Sequence, residues 1–297
     1  MKDMEFLFNS SSVVVDNIVA SGSSYEALGL TRVWEGDHPF FKTACHIFAA
    51  GKGGVTLFAR QESAHGAIKA FEGKAERAFH VNLLVEDIGE MHRRSRLSTF
   101  SLDVSDVYEG PCGSSFSTEF RVGAGSLWVE FTAGLNRVVT SPESDIDCVD
   151  STAFVAASRQ DFLAPLNSIG LQATASASNA NFKVLGCINT VMMLGDWHYL
   201  EVNEPTVSDG VVSKFLSRMG SPGIFGTNFA VRDITVFMEK ARSRGLATNT
   251  PEPILLQVEV GERTYRCANI LTISPRSTGG GRGFILEKLQ YPWELVG

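Results

Sequence analysis

Four glycine-containing turns, each leading into an alternating strand, constrain this chain more than any other feature. They read "AAGKGGVTLFARQE", "VGAGSLWVEFTAG", "MLGDWHYLEVNEP" and "TGGGRGFILEKLQYP". Each has the form of a β-hairpin whose second strand sends successive side chains to opposite faces. Matching the strand centres puts Phe58, Glu130, Glu201 and Glu287 in register, about 70 to 86 residues apart. That spacing is too long for a solenoid repeat and suits a supersecondary module.

Each module also has an opening. "FHVNLLVEDIGEMHRRSRL" from Phe79 and "FGTNFAVRDITVFMEKARSRGL" from Phe225 both read as strand, acidic turn and amphipathic helix. In the second, Ile234, Phe237, Met238 and Ala241 fall on one helical face, Asp233 is the expected N-cap and Gly245 the expected stop. In the first, Asp87 and Glu90 have capping-box spacing. "SSSVVVDNIVASGSSYEALGL" and "STAFVAASRQDFLAPLNSIGL" are weaker copies, and Pro165 predicts a third helix that is short or begins late. The expectation is an α+β chain of four βαβββ modules, paired into two curved-sheet cups. The halves are residues 1–145 and 146–297, joined near "TSPESDIDCVD".

Composition excludes several partners. The chain has 297 residues, 44% hydrophobic and 20% charged, with a formal charge of −7. It shows no basic block for nucleic acid or an anionic membrane. The N-terminal "MKDMEFLFNSSSVVVDNIVASG" is too polar for a signal sequence and no uninterrupted apolar run of about 18 residues occurs, so the expected location is cytoplasmic. Cys45, Cys112, Cys148, Cys187 and Cys267 are scattered, without a CxxC, as expected of reduced thiols. Cys45 and His46 are adjacent, but neighbours on a strand point to opposite faces, which argues against a nucleophile and its base.

"FHVNLLVEDI", "FGTNFAVRDI" and "INTVMMLGDWHYLEVNE" resemble segments of the vicinal oxygen chelate superfamily, which includes glyoxalase I, bleomycin resistance proteins and extradiol dioxygenases. The third module, with Gly186, Cys187, Ile188 and Asn189 before Tyr199, Leu200 and Glu201, is similar to a degenerate glyoxalase pattern. The resemblance implies ligands on the cup faces of the first and last strands of each module. Those positions carry Ser10 and Phe58, His80 and Glu130, Ser151 and Glu201, and Gly226 and Glu287. It also implies a divalent metal (Fe, Mn or Zn), but His80 and Glu130 make an incomplete set, because a metal site needs at least three protein ligands. His46 and Asn189 align one strand earlier.

Alternation places Tyr199, Glu201 and Asn203 on one face of a strand and His198 on the other, so His198 and Glu201 are not a pair. The candidate catalytic residues are His80 and Glu130. Phe58, Asn82, Trp128, Tyr199, Glu201 and Asn228 are the candidate substrate contacts. For Glu130 and Glu201 a solvated or arginine-paired carboxylate is the plainer reading, with Arg60 on an equivalent strand. "STGGGRGF" precedes a strand and lacks the phosphate-loop lysine, so it reads as a hairpin turn. The resemblance implies an enzyme acting on a small oxygenated molecule by isomerase, lyase or ring-cleavage chemistry. A cup that sequesters an aromatic or an antibiotic without chemistry is the alternative. The expected partners are a small molecule and, in a homodimer, a second copy of the chain.

Overall fold

The computed structural model describes residues 4–71, 77–100, 102–123, 125–133, 145–173, 175–178, 186–195, 198–246, 250, 252–258, 261–269 and 284–288. The chain begins with β1 (Phe6–Val15), α1 (Ile18–Ala27), β2 (Thr31–His38), β3 (Thr43–Ala49) and β4 (Gly54–Ala59). The short α2 (Gly66–Lys69) then leads to β5 (Arg77–Val85), α3 (Ile88–Arg96), β6 (Asp103–Val104), β7 (Tyr108–Gly110), β8 (Gly113–Val122) and β9 (Gly125–Ala133). The second half runs β10 (Ile146–Val155), α4 (Arg159–Ser168), β11 (Ala175–Ser178), β12 (Cys187–Leu194) and β13 (His198–Pro205). After α5 (Val211–Met219) come β14 (Gly223–Val231), α6 (Ile234–Ser243), β15 (Glu252–Val258), β16 (Gly261–Asn269) and β17 (Phe284–Lys288). Strand, helix and meander thus recur in an α+β order.

Pairing follows the same rule throughout. Parallel pairs recur four times among the described residues, β1 with β4, β5 with β9, β10 with β13 and β14 with β17. Opening strands meet antiparallel, β1 with β5 and β10 with β14. The first sheet is open, in the order β2-β3-β4-β1-β5-β9-β8-β6 with β7 also on β8. In the second, curvature carries the pairing around eight strands, closed where Ala177 and Ser178 of β11 meet Val258 and Gln257 of β15.

Helix termini follow local chemistry. Asp233 accepts from the amides of Thr235 and Val236, and Gly245 takes φ +82° just past α6. Asp87 caps α3 through the Glu90 amide, but Glu90 does not complete the expected capping box: its carboxylate turns to Arg93 and Arg94 at 2.8 Å. An ion pair within one turn competes with the return bond. Pro165 does not shorten α4, which has ten residues, as α1 and α6 do. A proline late in a helix removes one amide bond, and buried Phe162, Pro165 and Leu166 offset that loss by packing.

Alternation sorts two apolar layers. Leu57, Val81, Leu83, Val129 and Phe131 pack with Tyr25 of α1 and Met91 of α3 in a cluster that continues into Phe154, Leu200, Phe229 and Phe237 of the second half. Phe41, Cys45, Phe58, Phe79 and Trp128 form a separate cluster on the other face of the first sheet. The halves also touch through polar contacts. Ser11 Oγ lies 2.7 Å from Thr227 Oγ1, and the Phe8 ring stacks on His198 at 3.5 Å between centroids. At Gly51, φ is +60° and a Cβ would overlap the Asp147 carbonyl, so the turn comes against β10 as only glycine allows. Among the described residues no helix is long and apolar enough to cross a membrane.

Candidate functional site

The site forms on the concave face of the first sheet. Asn82 pairs with Glu130 and His80 with Trp128 across β5 and β9, so parallel register sets His80 two positions from Asn82 on one face. In β5, His80 is opposite Ser12 while Ala78 is opposite Val13, leaving Phe79 as an extra residue. Such a bulge re-aims side chains. Phe79 accordingly joins the inner apolar cluster, its ring centroid 5.7 Å from that of His80.

Glu130 is the centre. It is 4% exposed, and Tyr108 Oη donates to its Oε1 at 2.7 Å while Asn82 Nδ2 donates to Oε2 at 2.5 Å. His38 Nε2 is 3.3 Å from Oε1 and His80 Nε2 is 3.9 Å from Oε2. Both contacts are longer than an ordinary hydrogen bond, although His38 is 2% and His80 1% exposed. On its other side His80 Nδ1 meets Ser12 Oγ at 2.7 Å. Both rings line a cavity of about 10 Å³ with Ser10, Thr56, Phe58, Asn82, Pro111 and Glu130. That is the room of one water-sized atom.

Burial pushes His80 down to about 3 against the pull of Glu130, so the imidazole is neutral at pH 7. Burial alone would raise the Glu130 carboxyl, but His38, His80 and Tyr108 outweigh it and hold the group below the usual carboxylate range. Burial, then Glu130, push the Tyr108 phenol above its usual range, which keeps it a donor. Cys45 and Cys112 also line the cavity, and burial raises both thiols, Cys112 to about 11. They are not activated nucleophiles.

Aromatic rings close the cup above this centre. Phe40 stacks on Tyr108 at 5.7 Å and meets His65 and Trp128, while Phe41 packs against Phe58, Phe79 and His80. Phe58 and Trp128 therefore lie in the cup, but within this cover. Asn82 faces the cup as an anchor for Glu130 and for Thr132 Oγ1 at 3.0 Å. Arg60 is not the partner of Glu130: it pairs with Asp16 at 2.6 Å, beyond the strand end. His46 stays away from the cavity, near Gly22 of α1 and Phe48, because it alternates with cavity-lining Cys45 and Ile47.

The remaining candidates lie in the second half. Glu201 is half-buried and accepts from Asn189 Nδ2 at 3.1 Å, Asn228 Nδ2 donates to Ser151 Oγ at 2.8 Å, and Tyr199 is buried. His198, one residue from Tyr199, turns to Val149 O at 2.7 Å and to Phe8 at the contact between halves. The Glu287 side chain and "STGGGRGF" up to Gly283 lie outside what is described.

His38 and Tyr108 had no sequence signal of function. Seven residues of β2 are exposed or half-buried, and only its last, His38, is buried. Tyr108 sits on a three-residue strand within a longer connection.

The divalent ion implied by the resemblance needs three or more ligands. Among the described residues no group of three His, Cys, Asp or Glu side chains is arranged to hold one. The first-strand position is serine, with Ser10 Oγ bound to Thr56 Oγ1 at 3.0 Å and Ser12 to His80. His80 and Glu130 have the protonation states of ligands and His38 Nε2 is a third donor atom at the cavity, but it faces Glu130 Oε1 at 3.3 Å, and as they stand these side chains form no complete metal site among the described residues.

No protein-family model matches the sequence and no curated protein does. Solved structures do match. A triple mutant of 4-hydroxymandelate synthase from Streptomyces coelicolor shares 14% identity at TM-score 0.63, over 96% of this chain and 93% of that one. A fusion of a xylose isomerase-like TIM barrel with 4-hydroxyphenylpyruvate dioxygenase shares 12% at TM-score 0.64, over 96% of this chain and 49% of that one. The Mn(II)-bound glyoxalase from Novosphingobium aromaticivorans shares 12% at TM-score 0.59, over 97% and 84%. Dioxygenase and glyoxalase structures thus superpose on nearly the whole chain, and this protein has the fold of the vicinal oxygen chelate superfamily.

Proposed function

We propose that the cup of the N-terminal half, within residues 1–145, is the active site of a glyoxalase-like enzyme, with residues 146–297 as a second, similar half. Its substrate is a small oxygenated molecule, a carbonyl, enol or phenol, and the chemistry is a proton shift next to that oxygen leading to isomerisation, elimination or ring opening. The observation that carries this reading is the convergence of two buried imidazole nitrogens on one buried carboxylate at one cavity. Glu130 is the base and His80 its polar neighbour. In the resting arrangement Glu130 is weakly basic because His38, His80 and the Tyr108 donor outweigh its burial, and Asn82 donates to it as well. A ligand oxygen that takes one of those donors raises its proton affinity, which couples binding to base strength.

The small cavity requires the Phe40, Phe41 and Trp128 cover to move before a substrate enters. That aromatic lining favours a second reading, sequestration of an aromatic molecule without turnover. The test screens phenols, α-keto acids and hydroxyketones for binding and product formation with the parent chain, His80→Ala, Glu130→Gln and Glu201→Gln. Turnover abolished by Glu130→Gln and His80→Ala supports the enzyme. Binding without product supports sequestration. Turnover abolished by Glu201→Gln and spared by His80→Ala transfers the site to the second half.

A further inference from the structure

We infer that His38 stands in this cup as a neutral hydrogen-bond donor for the substrate oxygen and not as a third metal ligand; the inference rests on the N-terminal cup proposed above. The Phe41 amide donates to His38 Nδ1 at 3.3 Å. A ring nitrogen that accepts an N–H uses its lone pair and carries no proton, so the neutral ring bears its hydrogen on Nε2. That N–H faces Glu130 Oε1 at 3.3 Å, where a carboxylate favours a hydrogen over a lone pair.

A metal-bound histidine has the opposite arrangement: the ligating nitrogen is bare and the other donates to an acceptor. To ligate through Nε2, His38 would have to give up the Phe41 amide. The turn resists this, because Lys42 N also bonds back to His38 O at 2.9 Å and Lys42 holds φ +54°. Backbone, not a mobile side chain, sets the tautomer. His80 has no such constraint, since the Ser12 hydroxyl can donate or accept.

His38 Nε2 is thus a buried donor whose acceptor is Glu130 Oε1 at a long 3.3 Å, and it opens on the cavity shared with that carboxylate. It is placed to receive a carbonyl or enol oxygen. When Glu130 removes the adjacent C–H proton, the C–H electron pair passes into the enolate, whose oxygen His38 Nε2–H stabilises. With a β,γ-unsaturated carbonyl compound as substrate, return of that proton at the γ carbon shifts the double bond and re-forms the carbonyl, which completes an isomerisation with no oxidant or reductant.

The test uses the full chain with ¹⁵N-labelled histidine. Long-range ¹H–¹⁵N spectra, assigned by the loss of signals in His38→Gln, should show a bare Nδ1 and a protonated Nε2 for His38 at neutral pH. Equilibrium dialysis against MnCl2 or ZnCl2 should leave the parent chain substoichiometric in metal. With 4-nitrophenol as probe, His38→Leu should weaken binding roughly tenfold and His38→Gln, which keeps a donor, should restore most of it. A protonated Nδ1, or one ion per chain lost in His38→Gln, overturns the inference and leaves the cup assignment standing. Equal binding by parent and His38→Leu overturns it too. Failure of 4-nitrophenol to bind the parent chain overturns both.

Discussion

Tyr108 lies between Ser117 and Glu130, with its hydroxyl 2.7 Å from Ser117 Oγ and 2.7 Å from Glu130 Oε1. Since Tyr108 donates to the carboxylate, Ser117 donates to Tyr108, and the two bonds polarise in one direction. Glu130 thus remains charged in a pocket that burial alone would neutralise.

Tyr108→Phe removes that donor and keeps the ring on Phe40. A hydrogen bond to a buried charge is worth roughly 1.5–3 kcal/mol, so urea unfolding at pH 7 should show a loss of that order. An unchanged midpoint would mean that Asn82 and His38 suffice.

Acid should destabilise the fold in two stages. His80 titrates ordinarily near 6.5 and in the folded chain near 3. Below pH 6.5 the unfolded chain binds a proton that the folded chain refuses, so stability falls toward pH 3 by up to about 1.4 kcal/mol per pH unit. Glu130 adds the same sign below its ordinary 4.5, because its folded value is lower still. His80→Gln should flatten the slope of stability between pH 6.5 and 4.5, with a remainder from His46 and His65, both of which burial also lowers. A slope identical to that of the parent would show that His80 is protonated in the fold.

Phe40→Ala should open the cup. Phe40 is partly buried against the inner cluster, so the cost stays below the roughly 3–5 kcal/mol of a fully buried phenylalanine. The variant should bind 4-nitrophenol more tightly than the parent, read by equilibrium dialysis. Weaker binding would make Phe40 a wall of the ligand site.

Gly51→Ala tests the contact between halves. The left-handed φ and the overlap of a Cβ with Asp147 O together predict a loss above about 2 kcal/mol. Calorimetry should show it as a lower midpoint.

The sequence by itself determined the repeating order of elements. Hairpin turns, period-two strands and the capped helix at Ile234–Ala241 are local, so their signals lie within a dozen residues. It also placed His80, Asn82, Trp128 and Glu130 on a common face, because strand alternation needs no partner. Only the tertiary structure decided what those residues meet. His38 reaches Glu130 from the end of an otherwise exposed edge strand, and Tyr108 from a short strand on β8; neither neighbour follows from periodicity. The bulge at Phe79, the amide that fixes the His38 tautomer and the rings that fill the cup are likewise set by packing between segments far apart in the chain. Sequence alternation assigns a side chain to a face, but its partner across that face depends on how the strands curve and pair.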